Sequence, residues 1–127
     1  LHVVFPGSEK DTWPGFALIP PTREFTGNKA VVFEVFNPAG PKRLSWRIDD
    51  AHGAHVFGGW PLSASSTTTV KIWLKALRHQ LDIKNIKRFY IYMRKPREDV
   101  ELYFDNFRIE AVEDIFRRVC TRWGKIC

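Results

Sequence analysis

Short runs of β-branched and aromatic residues recur about every 10 to 15 residues, each closed by Pro, Gly or Asn, with few helical signals between them. HVVFP (2–6) stops at Pro6-Gly7, and FALIP (16–20) stops at Pro20-Pro21. AVVFEVFNP (30–38) is ended by Pro38, Gly40 and Pro41, which cannot continue a ladder. In RLSWRIDD (43–50), Leu44, Trp46 and Ile48 point one way while Ser45, Arg47 and Asp49 point the other. AHGAHVFGGW (51–60) reads as a Gly-rich turn flanking a short strand at His55–Phe57. SSTTTVKIWL (65–74) places Val70, Ile72 and Leu74 on one face, and KALRHQLDIKN (75–85) has room for a helical turn. IKRFYIYMRK (86–95) and ELYFDNFRIE (101–110) are aromatic strands. About eight strands so spaced predict an all-β chain, an antiparallel β-sandwich and most simply a jelly roll.

One strand breaks its own pattern. Asp105-Asn106 interrupts an otherwise apolar run, and both residue types are depleted in strands. The tail breaks the pattern of the chain. EAVEDIFRRVCTRWGKIC puts Val112, Ile115, Val119 and Trp123 at helical spacing, with acids first and bases later, so an amphipathic helix is expected there. The reading is therefore a β-sandwich over 1–110 and a helical tail over 111–127. On one continuous helix Cys120 and Cys127 would lie about 10.5 Å apart along the axis, too far for a disulfide. A helix ended at Gly124 would let the chain fold back, so pairing stays open without being expected.

At 127 residues and 44% apolar content the chain suits one packed domain and not a disordered one. Its formal charge of +6 permits attraction to nucleic acid, anionic lipid or acidic polysaccharide without choosing among them. No run of like charges and no nucleic-acid motif is present, so a nucleic-acid partner is not expected. No apolar run approaches the roughly 18 residues of a membrane span. The start at Leu1 and the missing signal pattern suggest an excised domain or a processed form.

Catalytic motifs are lacking. There is no G-x-S-x-G elbow, no H-E-x-x-H and no phosphate-binding glycine loop, and an enzyme is not expected. In DDAHGAH (49–55), Asp49, Asp50, His52 and His55 form a transition-metal candidate set, against the plainer reading of a strand end with a capped turn. Five Trp in so small a domain suggest that some present a rigid face to a partner. On the 86–95 strand, Phe89, Ile91 and Met93 make the core face, so Arg88, Tyr90, Tyr92 and Arg94 share the other. Such a face suits carbohydrate, with Tyr stacking on a sugar ring and Arg and Asp binding hydroxyls or carboxylates. It equally suits cross-strand ion pairs and Tyr packing under a loop.

The order WPGF (13–16), VVFEVFNP (31–38), LSWRIDDAHG (44–53), LDIKNIKRFYIY (81–92) and LYFDNFRIE (102–110) resembles a carbohydrate-binding-module-like jelly roll. It is similar to the sugar-binding-like domains of VanZ-like membrane proteins and of polysaccharide-active enzymes. The chain departs from such domains at Ser63–Thr67, where they often carry a Pro-Gly turn. The resemblance implies a non-catalytic, extracytoplasmic, glycan-binding domain, with a membrane-anchored parent among the options. It requires no cofactor but leaves room for a structural calcium, with Asp105 as the last-strand ligand. The expected sugar contacts are Trp13, Arg47, Asp49, His55, Trp60, Tyr90, Tyr92 and Arg94. A jelly roll used for protein assembly through its helical tail, and a glycan-active enzyme, are the alternatives.

Overall fold

The computed structural model describes residues 1–111. Eight strands form: β1 (His2–Phe5), β2 (Gly15–Leu18), β3 (Lys29–Asn37), β4 (Lys42–Asp50), β5 (His55–Leu62), β6 (Ser66–Trp73), β7 (Ile86–Tyr92) and β8 (Val100–Ala111). One 3-10 turn follows β6 at Leu74–Leu77, where a helical turn was expected. The strands make two antiparallel four-stranded sheets, ordered β1-β8-β3-β6 and β2-β7-β4-β5. The chain changes sheet at nearly every connection, and only the β4–β5 hairpin stays within one. That is jelly-roll topology, as the strand rhythm predicted. The expected tail helix, with Cys120 and Cys127, lies outside the described residues.

The core sits between the sheets. Phe33, Val35, Phe104, Leu44, Ile48 and Ile91 are almost fully buried there. Each alternates with an outward residue on its strand, because successive Cβ atoms point to opposite faces. Phe25 is fully buried and packs edge-on against Phe89, and its backbone N–H donates to Ile83 O.

The Asp-Asn pair in β8 has a structural explanation. Glu34 pairs with Asp105 and Val32 with Arg108, so three steps on β8 answer two on β3. Asn106 adopts φ +57°, a left-handed conformation that Asn tolerates better than most residues. The Asp105 carboxylate accepts the Asn106 N–H at 2.7 Å. The extra residue is a β-bulge, and it switches the inward parity of the strand. Leu102 and Phe104 face the core before it, and Phe107 and Ile109 face the core after it. An uninterrupted strand would instead have sent Asn106 and Arg108 inward.

β5 runs five residues past Phe57, where its sequence suggests an end. Gly58, Gly59 and Pro61 are turn signals, yet the strand continues through them to Leu62. β5 is a sheet edge, where a proline is tolerated. The glycines answer to their neighbours across the pair. A Cβ on Gly58 would stand 2.0 Å from the Trp46 indole, and one on Gly59 2.6 Å from Arg43 Nε.

Candidate ligand-binding face

The outer face of the β2-β7-β4-β5 sheet is laid out in rows by its register. One row runs Gly15, Tyr92, Ser45, Gly59 across the four strands. The next runs Ala17, Tyr90, Arg47, Phe57, and a third holds Arg88, Asp49 and His55. The first row is low everywhere except at Tyr92, since its other members are glycine or serine. The Trp13-Pro14 segment comes close above it, because Gly15 lies directly against Tyr92 and a Cβ there would meet the Tyr92 Cβ at 2.5 Å. Trp13 remains 55% exposed, and the Lys95 ammonium lies 5.7 Å from its ring centroid.

Two hollows result. One, of about 450 Å³, is lined by Trp13, Arg47, Phe57, Tyr90 and Tyr92. The other, of about 480 Å³, is lined by Trp13, Arg43, Ser45, Phe57, Tyr92 and Arg94. Trp13, Phe57 and Tyr92 belong to both, so the hollows adjoin as one trough.

Arginine and aromatic side chains interleave along the trough. The Arg47 guanidinium lies 5.6 Å from the Phe57 ring centroid and 5.5 Å from that of Tyr90, and Arg88, one row over on β7, lies 5.2 Å from Tyr90. Beneath them Asp49 is only 5% exposed. It accepts Arg47 Nε at 2.6 Å and Arg88 Nε at 3.2 Å. Each carboxylate oxygen is thus engaged by a guanidinium, which holds both arginines against the rings.

The eight expected contact residues divide. Trp13, Arg47, Tyr90, Tyr92 and Arg94 are brought together along the trough. His55 is exposed at the sheet edge, edge-on to Phe57 at 5.1 Å, and lines neither hollow. Two expectations need correction. Asp49 is a buried anchor for arginines, because its strand position sets it between Arg47 and Arg88. Trp60 packs against the core, because it follows Gly58 at a two-residue step on the inward face of β5. Phe57, 57% exposed, was missed as a contact. Its alternation with Gly58 was visible, but the strand was read as ending there. Arg43 was missed likewise, although it shares the Ser45–Arg47 face.

The DDAHGAH cluster disperses into local roles. The Asp50 carboxylate accepts the backbone N–H groups of His52, Ala54 and Asp82, each at 2.9 Å. Burial works against the charge on Asp50, yet those three donors hold its carboxyl below the usual value. His52 pairs with Asp82 at 3.0 Å. Among the described residues no three His, Cys, Asp or Glu side chains converge on a common point. Asp105 stands exposed at the bulge, and its neighbour Glu34 is engaged by Arg108 at 2.9 Å. Those donors do not fit the six to eight oxygens calcium takes.

The described residues form a jelly-roll β-sandwich, a fold shared with several solved structures. The similar solved structures include the family 11 carbohydrate-binding module from Clostridium thermocellum in complex with a β-1,3-1,4-mixed-linked tetrasaccharide, at 16% identity and TM-score 0.68, covering 89% of this chain and 76% of that one. An agarase, AgWH50C, matches at 14% identity and TM-score 0.70 over 80% of this chain. An exo-β-agarase matches at 14% identity and TM-score 0.67, again over 80% of this chain. The chain spans only 20% and 18% of the lengths of those two agarases. No family model and no curated protein matches the sequence.

Proposed function

We propose that this chain is a non-catalytic polysaccharide-binding domain of an extracytoplasmic protein, using the outer face of the β2-β7-β4-β5 sheet. The observation that carries this reading is the trough, which Trp13, Tyr92 and Phe57 line together with Arg47 and Arg94. A sugar ring has an apolar face and an equatorial belt of hydroxyls, and that pairing answers both. Likeness to a module solved with a bound tetrasaccharide supports the reading.

A binding role is favoured over hydrolysis. Glycoside hydrolysis takes two positioned carboxyl groups. The only carboxylate on the three rows of this face is Asp49, and both of its oxygens are taken by arginine. The short span of this chain within the agarases also accords with an appended module.

Affinity electrophoresis through gels containing a panel of polysaccharides tests the proposal. The protein is retarded by at least one polymer, and Tyr92→Ala weakens retardation about tenfold at unchanged melting temperature, while Arg47→Ala weakens it as much and also lowers the melting temperature, because Asp49 is left with Arg88 alone. Equal retardation of wild type and both variants removes this face from the binding role.

A further inference from the structure

We infer that the trough has a dedicated anion subsite, formed by Arg43 and Arg94 over Ser45, for a carboxylate or sulfate on the bound sugar. This deepens the proposed function and rests on it. Around the trough, most of the cations are already engaged. Arg47 and Arg88 share Asp49. Lys95 is paired with Asp11, which also holds Arg97 at 2.9 Å. Arg43 and Arg94 have no carboxylate partner among the described residues. They line the same hollow of about 480 Å³.

The backbone is arranged to present them. Arg43 and Ser45 share the outward parity of β4, and Arg94 continues the outward set of β7 past Tyr92. The absence of a side chain at Gly59 lets the Arg43 guanidinium lie flat across β5, with its Nε, Cζ and Nη2 all within 2.9 Å of where a Cβ would stand. Laid down in this way, the guanidinium borders the trough. Ser45, 4% exposed, also lines this hollow, one row in from Arg43 and opposite Tyr92. Two guanidinium groups and a hydroxyl beside a Tyr ring suit a ring that stacks on Tyr92 and carries an oxyanion. The shared ligand chemistry is an acidic sugar, either a uronate or a sulfate ester.

Isothermal titration calorimetry of the full chain against four polymers tests this: polygalacturonate, a sulfated galactan, agarose and a neutral mixed-linked β-glucan. At least one acidic polymer binds about tenfold tighter than both neutral ones. The uronate and sulfate arms tell which oxyanion is preferred. Arg43→Gln/Arg94→Gln abolishes that preference, bringing the ratio of acidic to neutral affinity to about one. Lys71→Gln/Lys75→Gln removes the same charge from exposed positions on β6 and the 3-10 turn, and keeps the preference. An equal effect of the two double variants overturns the inference, because net charge and not a site would then attract the polymer. Equal affinity for acidic and neutral polymers overturns it while sparing the proposed function. No binding to any of the four overturns both.

Discussion

The Asp49 carboxylate is gripped by Arg47 and Arg88 and is 5% exposed, whereas Asp105 is exposed and bonds only its own neighbour's N–H. Their positions in the sequence do not betray this difference, since both follow an apolar residue in a strand. What separates them is who stands opposite. Arg88 faces Asp49 across β7, and no residue count along β4 could supply that register. Replacing Asp49 by Asn removes the charge and leaves two guanidinium groups side by side. Arg47 and Arg88 are about one-third exposed, so water compensates in part. The expected cost is about 1–3 kcal/mol in urea unfolding, with weakened polysaccharide retention as Arg47 loses its seat between Phe57 and Tyr90. Asp105→Asn can still accept the Asn106 N–H and should stay within about 0.5 kcal/mol of wild type. A reversed ranking of the two variants would show that Asp49 does not anchor the arginines.

At the scale of the element, β8 holds the residue pair that looked out of place. Its bulge keeps Phe107 stacked 5.0 Å from Phe33 and lets one long strand serve the core on both sides of a parity change. The left-handed backbone at Asn106 is the condition for it. Asn106→Gly should be neutral or slightly stabilising, because glycine reaches that φ without strain. Asn106→Val places a β-branched side chain there and should cost about 1–3 kcal/mol. A thermal melt of a domain this size would read each kcal/mol as a shift of about 4 °C. Equal melting of the two variants would exclude a backbone requirement at this position. The strands themselves were largely legible, since alternation marks β3, β4, β6 and β7 and turn residues close them. β5 was not, because Gly58 and Gly59 look like a turn locally. Their reason lies across the hairpin, in the space Trp46 and Arg43 occupy. A strand ending at Phe57 leaves Trp60 in a turn with no face assigned, and only the continuation of β5 to Leu62 sets it inward.

At the scale of the molecule, the trough depends on β7 and β4 lying side by side although 35 residues separate the end of one from the start of the other. Asp50 helps to fix that arrangement. It ends β4, closes the β4–β5 turn through His52 and Ala54, and reaches the segment leading into β7 through the Asp82 N–H. It lines neither hollow, so its contribution belongs to the fold and not to ligand contact. Its carboxyl titrates below the ordinary value of 3.8 when folded. As pH falls, the unfolded chain therefore takes up the proton first. The stabilisation is complete above the unfolded pKa and is lost as pH falls through the lower folded one. Asp11 and Asp82, also shifted down by their partners, lose theirs over the same acid range. Asp50→Asn keeps one acceptor oxygen and leaves at least one part-buried N–H without its carboxylate, at a cost of about 1–3 kcal/mol near neutral pH. That gap between wild type and variant, measured by urea unfolding, should hold constant above about pH 5 and narrow from about pH 4 toward pH 2. A gap that stayed level to pH 2 would mean that the ionised carboxylate is not what ties β4 to β7, and that the trough's geometry rests on packing alone.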